Sequence, residues 1–114
     1  MKSDRVYLLH IRDAVERIEQ YASHGHEAFL KEHHWQDGIV RQLEIIGEAT
    51  KHLSPQFREA HAQIPWQRIA GLRDVLIHDY MGVDVAAVWD IVQNRVPELK
   101  SLIKAALKED SSSN

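Results

Sequence analysis

What this sequence lacks already limits the classes of protein to which it can belong. Its 114 residues include no cysteine, which excludes disulfides and thiolate metal sites and is compatible with a reducing cytoplasm. No apolar run approaches the roughly 18 residues of a membrane-spanning helix. The N-terminal segment alternates charged with apolar residues, unlike a secretion signal. We therefore predict a cytoplasmic protein that does not enter a membrane.

The sequence also lacks an excess of positive charge. Its formal net charge is −3 with neutral histidines. This balance argues against a broad basic surface that binds nucleic acid without specificity, because such binding depends on many lysines and arginines at phosphates. A local basic pocket remains compatible with the composition.

Helix-breaking residues are few, with three prolines and five glycines, and the alternation typical of strands is absent. Apolar residues recur instead at steps of three and four, the spacing that places them on one face of a helix. The predicted inner faces are Tyr7, Ile11, Ala14, Ile18 and Tyr21 in a first helix, Ile39, Leu43, Ile46, Thr50 and Leu53 in a second, and Val85, Val88, Trp89, Val92, Val96, Leu99, Leu102 and Ile103 in the last.

Several residues indicate where the helices begin and end. The first helix is interrupted at residues 23–25, and the second begins at either Glu27 or Trp35, two alternatives that the sequence leaves open. Ser54 is a predicted N-cap, Pro55 is tolerated at a first helical position, and a short helix is predicted from Gln56 to Ala62. Pro65 then opens a further helical segment, which Gly82 ends. Its predicted inner stripe is Trp66, Ile69, Leu72 and Leu76, with Ile77 as a further candidate.

The last long helix has predicted signals at both its start and its middle. Asp84 is the expected N-cap, and Pro97 should kink or break the helix near residues 94–96. Together these signals predict one all-α domain over residues 1–108, an antiparallel helical bundle of four to five helices. Residues 109–114, EDSSSN, have nothing to bury and are predicted to form a disordered tail.

The stretch RDVLIHDY, residues 73–80, brings four candidate site residues close together, Arg73, Asp74, His78 and Tyr80. On a helix that advances about 100° per residue, Arg73 and Tyr80 lie nearly on one face, whereas Arg73 and His78 are about 140° apart. Asp74 and His78 are four residues apart and form a neighbouring pair. One straight helix therefore does not bring all of these groups to one target. Either the helix unwinds near His78 or a second copy of the chain completes the site.

Three of these side chains, those of Arg73, Asp74 and His78, suggest a chemistry. An imidazole oriented by Asp74 is suited to acid–base catalysis near neutral pH, and the guanidinium of Arg73 offers a fork of donors to phosphate oxygens. These groups suffice for attack of an RNA 2′-hydroxyl on its neighbouring phosphate, a reaction that demands no metal ion. Spacing alone, however, favours an ordinary solvated helix face.

A family resemblance instead favours a catalytic site over a solvated helix face. Arg73-x4-His78-x-Tyr80 resembles the R-x4-H-x-Y motif of the HepT-like toxins, which lie within the HEPN ribonuclease group. Residues 40–54 (VRQLEIIGEATKHLS), 64–84 (IPWQRIAGLRDVLIHDYMGVD) and 88–103 (VWDIV followed by VPELKSLI) are similar to that family in the same order. Asp74 stands where the family uses a small polar residue. The resemblance covers most of the chain and is weakest over residues 1–35.

The resemblance implies an HEPN-like bundle that forms a homodimer, with the paired motifs facing a cleft between the chains. It implies a metal-independent endoribonuclease toxin without a cofactor, in which His78 is the general acid–base and Arg73 the phosphate ligand. The implied partner is a nucleotidyltransferase antitoxin of the MntA type, which would transfer AMP to Tyr80 and silence the toxin.

The alternative is a non-catalytic helical subunit that binds a nucleotide or a nucleotidyltransferase through the same surface. The presence of both Arg73 and His78 favours the enzyme, because a docking surface does not need this pair.

Eight histidines raise the possibility of a metal site, above all His24, His26, His33 and His34. No cysteine and no H-E-x-x-H pattern accompanies them. The segment HGHEAFLKEHH is more typical of an exposed turn and helix start, and we predict no metal site.

Four other residues have predicted roles in packing or in the site. Gly47 lies inside a helix, at a cost of about 1 kcal/mol relative to alanine, and is predicted to allow close approach of another backbone. Glu48 is either a residue that supports the site through Arg73 or a solvated carboxylate. Trp66 and Trp89 have the spacing of core residues, which we favour over base stacking.

Overall fold

Seven helices make up the part of the chain that the structure describes, residues 2–72 and 84–112, with side chains from 4–72 and 84–109. In this computed structural model the helices are α1 (Lys2–Ala22), α2 (His26–Lys31), α3 (His33–Lys51), α4 (Pro55–Ala60), α5 (Trp66–Ala70), α6 (Val85–Asn94) and α7 (Val96–Ser112). The predicted all-α bundle is confirmed. The count exceeds the predicted four to five helices because the second and the last predicted helices are each divided in two.

The core lies mainly between α1 and α3, with α7 packed against α1 and α5 packed against α3. Ile11 and Ile18 of α1 and Ile39 and Ile46 of α3 are fully buried, as their spacing predicts. At each end of the α1 stripe a tyrosine is only half-buried at the edge of the core. The amphipathic spacing of the sequence therefore accounts for which helix faces meet.

Side-chain caps start two of the helices as predicted. The hydroxyl of Ser54 accepts a hydrogen bond from the Phe57 amide at 3.1 Å, and Pro55 is the first residue of α4. The carboxylate of Asp84 accepts from the Ala87 amide at 3.0 Å at the start of α6. Each cap satisfies an amide that the helix itself leaves without a partner.

A buried carboxylate joins the start of α1 to the start of α4. Asp4 is 2% exposed, and it accepts hydrogen bonds from the backbone amide and the hydroxyl of Ser54, both at 2.7 Å. The two residues are 50 positions apart in the chain. The contact therefore fixes the first turn of α1 against the connection between α3 and α4.

Between α1 and α3 the chain changes direction twice. Gly25 has φ of +97°, a conformation that glycine adopts without strain. Glu32 is extended and separates α2 from α3, so helical structure begins at both of the regions that the sequence left open. The side-chain amide of Gln36 donates to the carbonyl oxygens of Phe29 at 2.9 Å and Leu30 at 3.2 Å. This side chain satisfies the carbonyl groups at the end of α2.

The last predicted helix is divided at Arg95, within the range expected from Pro97. Pro97 is the second residue of α7, where the missing amide hydrogen costs no helical hydrogen bond. The structure continues α7 to Ser112, and the predicted boundary between domain and tail at residues 108 and 109 stays a prediction.

Among the helices described, none has the length and apolar character needed to cross a membrane.

Candidate functional site

The motif residues Arg73, Asp74, His78 and Tyr80 lie outside the described residues, and so do Leu76, Ile77 and Gly82 of the same segment. Their predicted convergence on one site stays a prediction. The structure does describe the helix that leads into the motif and the surfaces around the end of that helix.

The helix that precedes the motif, α5, is held against α3 at Gly47. A Cβ atom on Gly47 would lie 3.1 Å from the carbonyl oxygen of Ile69 and 3.3 Å from that of Ala70, closer than side-chain atoms normally approach backbone. The predicted packing role of Gly47 is therefore confirmed. The close approach sets where the chain leaves α5, three residues before Arg73.

Trp66 holds the other end of α5. Its side chain is 6% exposed, and its indole N–H donates to the carbonyl oxygen of His61 at 3.1 Å. Trp89 is half-buried and packs on the rings of Phe29 and His26, with centroid separations of 5.0 Å and 4.7 Å. Both tryptophans thus pack in or against the core, as their spacing predicts.

The helices α1, α3 and the end of α5 enclose a cleft of about 390 Å³, which we call the α1–α3 cleft. Its described walls include Tyr7, His10, Arg41, Glu44, Gly47, Glu48, Lys51, His52 and Ala70. The α3 residues recur at steps of three and four, so they form one polar stripe along the helix. The cleft therefore places cations, carboxylates and rings next to the residues that lead into the motif.

Glu48, the predicted supporting residue, lies in a wall of this cleft. Its carboxylate oxygen is 3.4 Å from Nε2 of His52, and its side chain is 66% exposed. The imidazole of His52 in turn stacks on Tyr7, with ring centroids 4.9 Å apart and an angle of 14° between the planes. A role for Glu48 through Arg73 stays a prediction.

Sequence reasoning did not identify His52, Tyr7, His10, Arg41 or Lys51 as site residues. The available signal was the polar outer face of α3, where charged residues recur at helical spacing opposite the predicted inner stripe. Whether the α3 residues lie beside Tyr7 and His10 of α1 depends on how the two helices pack, and sequence periodicity does not specify this packing.

Three of the four histidines named for a metal site, His24, His26 and His34, contact aromatic rings. His24 stacks on Trp35 with centroids 4.1 Å apart, and His34 lies 4.5 Å from the same indole. His24, His26, His33 and His34 are all exposed. Within residues 2–72 and 84–112, no three histidine, aspartate or glutamate side chains are grouped so that they would hold a metal ion.

Comparison with known proteins identifies similar sequences over almost the whole chain. A family model described as "Ribonuclease HepT-like" matches residues 11–106. The chain is 42% identical to "Putative RNase TTE0752" of Caldanaerobacter subterraneus, over 96% of this chain and 99% of that protein. It is 42% identical to "Probable ribonuclease HepT" of Thermococcus cleftensis, over 87% of this chain and 91% of that protein.

A third relative is longer. "Gamma-glutamylcyclotransferase and putative RNase MJ0434" of Methanocaldococcus jannaschii is 40% identical over 95% of this chain, which spans 49% of that protein. No solved structure matches the chain.

Proposed function

This chain belongs to the ribonuclease HepT-like family and is an endoribonuclease, and we propose that it is a toxin that cleaves RNA without a metal ion. The observation that carries this proposal is RDVLIHDY, which retains Arg73 and His78 and lies inside the matched residues 11–106. The packing of Gly47 on α5 supports it, because that contact holds the residues leading into the motif.

In the proposed reaction His78 removes the proton from a ribose 2′-hydroxyl. The 2′ oxygen then bonds to the adjacent phosphorus while the bond from phosphorus to the 5′ oxygen breaks, and the imidazolium of His78 returns the proton to the 5′ oxygen. Arg73 binds the phosphate oxygens, where charge accumulates in the transition state. Asp74 orients the imidazole. The products are a 2′,3′-cyclic phosphate and a 5′-hydroxyl.

We further propose that the chain acts as a homodimer. Because Arg73 and His78 are about 140° apart on a regular helix, a second copy across a two-fold axis offers a way to complete each site. An isologous contact of this kind would place the two motifs opposite one another.

The proposed regulator is a nucleotidyltransferase antitoxin of the MntA type that transfers AMP to Tyr80. The added phosphodiester carries a negative charge beside Arg73, where it would compete with the substrate phosphate and repel incoming RNA. Tyr80 would then be both a neighbour of the catalytic pair and its switch.

Cleavage of a single-stranded RNA by the purified protein in EDTA tests the mechanism. We expect wild-type protein to produce cyclic phosphate and 5′-hydroxyl ends, and His78→Ala to lose roughly 100-fold or more of the rate. Arg73→Lys should also be severely impaired, because an ammonium does not replace the two-pronged guanidinium. The matched control is His33→Ala, which removes an exposed histidine of α3 and should cleave normally.

Two outcomes would contradict the proposal. Loss of cleavage in EDTA with recovery in magnesium or manganese would establish a metal-dependent reaction. RNA binding without cleavage by the wild type would instead favour the non-catalytic subunit.

A further inference from the structure

We propose that the α1–α3 cleft binds one nucleotide of the RNA substrate beside the scissile phosphate, with the base stacked on His52 and the flanking phosphates bound by Arg41 and Lys51. This inference rests on the proposed ribonuclease function and deepens it, because it assigns a substrate subsite to residues outside the motif.

The size and position of the cleft fit a nucleotide. Its volume of about 390 Å³ lies within the range of about 300–1,000 Å³ for small-molecule sites. Ala70 lies in its wall, and three residues of chain span at most about 11 Å, which bounds the distance from Ala70 to Arg73. The cleft therefore borders the chain that leads to Arg73, the proposed phosphate ligand.

The ring of His52 is oriented for stacking. One neighbour is Tyr7, which lies nearly parallel to it at 4.9 Å, and another is Glu48, whose carboxylate lies 3.4 Å from Nε2. The His52 side chain nevertheless remains 52% exposed. An exposed flat ring held by two neighbours is the kind of platform on which proteins stack unpaired RNA bases.

The two cations of the cleft are available to phosphate. Arg41 and Lys51 are exposed, and neither forms an ion pair within the part of the chain described. Elsewhere in the same part, Lys100 pairs with Glu19 at 2.9 Å and Arg12 with Asp13 at 3.0 Å. Both side chains can therefore approach a phosphate of the substrate without first breaking an ion pair of the described structure.

The exposed carboxylate of Glu48 indicates which part of the nucleotide faces it. It repels phosphate, but it accepts hydrogen bonds from amino groups on bases, as carboxylates do from the N4 amino group of cytosine. The cleft wall contains as many carboxylates as lysines and arginines, so the cleft has little net charge. A site of this kind is not suited to binding every polyanion. We therefore infer a preference for adenine, cytosine or guanine over uracil, which has no amino group.

Binding of fluorescein-labelled 12-nucleotide RNAs to the full chain carrying His78→Ala tests the inference. Oligoadenylate and oligocytidylate should bind more tightly than oligouridylate. His52→Ala should weaken oligoadenylate binding roughly tenfold, and His52→Phe should restore most of it, because phenylalanine keeps the stacking surface. Thermal unfolding of each variant identifies any loss that reflects misfolding.

The double variant Arg41→Ala/Lys51→Ala tests the phosphate contacts. It should reduce the slope of log Kd against log salt by about 1.4, the value for two phosphates on a single strand. The matched control is Lys104→Ala/Lys108→Ala, which removes two exposed cations of α7 and changes the net charge equally. This control should leave the slope nearly unchanged.

The subsite would be overturned if the salt slope fell equally in the two double variants. Unchanged RNA binding by a folded His52→Ala protein would also overturn it. Equal affinity for all three RNAs would overturn the base preference. These outcomes are separate from failure of the proposed function, which appears as absence of RNA cleavage by the wild type. A wild type that cleaves RNA, combined with normal binding by the cleft variants, would refute the subsite alone.

Discussion

Gly47 is the residue of α3 against which the end of α5 packs, and its substitution tests that contact. Gly47→Ala gains about 1 kcal/mol of helix propensity but places a methyl group 3.1–3.3 Å from two backbone carbonyl oxygens. Overpacking of this kind costs about 1–3 kcal/mol when the neighbour has to move. We expect a lower free energy of unfolding and slower RNA cleavage, because α5 leads directly into the motif.

The matched control is Gly38→Ala in the same helix. Its new methyl group would lie 3.1 Å from Cε2 of Tyr21, a half-buried side chain that is able to shift. By urea unfolding, Gly47→Ala should be less stable than Gly38→Ala by roughly 1–2 kcal/mol. Equal stability of the two variants would mean that α5 adjusts freely.

Tyr80 is the residue on which the proposed regulation depends. With an active MntA-type partner, wild-type protein should gain the mass of one adenylyl group, whereas Tyr80→Phe should gain none because it lacks the accepting hydroxyl. Tyr21→Phe is the control and should be modified like wild type. Intact-mass analysis after co-expression decides the question. An unmodified wild type, or a modified Tyr80→Phe protein, would assign the switch to another residue or to none.

Single residues also mark the limit of prediction from sequence. The packing role of Gly47 follows from its place inside a helix, because a glycine there is costly unless another backbone comes close. The contacts of His52 could not be predicted, because its stacking on Tyr7 depends on the packing of α3 against α1. The role of Glu48 stays open for the same reason.

At the scale of the helices, the boundaries with a local cause were predicted correctly. Ser54, Asp84 and Pro97 act through their own side chains, by capping a helix or by removing an amide hydrogen. The break at Glu32 has no proline or glycine to signal it. It is stabilised by Gln36, whose side chain turns back to the carbonyl oxygens at the end of α2.

The contact of Asp4 with Ser54 joins the start of α1 to the start of α4, and substitution of Asp4 tests its contribution to stability. Asp4→Ala removes an acceptor of two hydrogen bonds from a buried position and should lower the free energy of unfolding by about 2–3 kcal/mol. Asp4→Asn should cost less, because its carbonyl oxygen still accepts from the Ser54 amide. Urea unfolding followed by circular dichroism measures both effects.

Asp13 provides the control for this experiment, since it is an aspartate of the same helix with a 49% exposed side chain. It pairs with its neighbour Arg12 at 3.0 Å. Asp13→Ala should change stability by no more than about 0.5 kcal/mol, as is usual for a surface ion pair. If the two alanine variants were equally stable, the Asp4 contact would contribute nothing beyond a surface interaction.

At the scale of the whole molecule, the prediction concerns assembly. A site completed by a second copy requires at least a dimer at micromolar concentration, which light scattering measures directly. Among the described side chains, Val6 and Leu30 are the large hydrophobic residues that are exposed, each at 49%. We therefore expect an interface that is largely polar or that includes residues 73–83. A monomer that still cleaves RNA would exclude the shared site.

The packing of α7 on α1 has a consequence for the time at which this protein becomes active. The face of α1 that α7 covers is made first, and the helix that covers it is made last in the described chain. At about 5–20 residues per second, translation separates the two by several seconds. Residues 73–80 are thus translated before α7 can pack on α1 and complete the described bundle. We expect a nascent chain to be inactive, so that the messenger RNA being translated is spared by its own product.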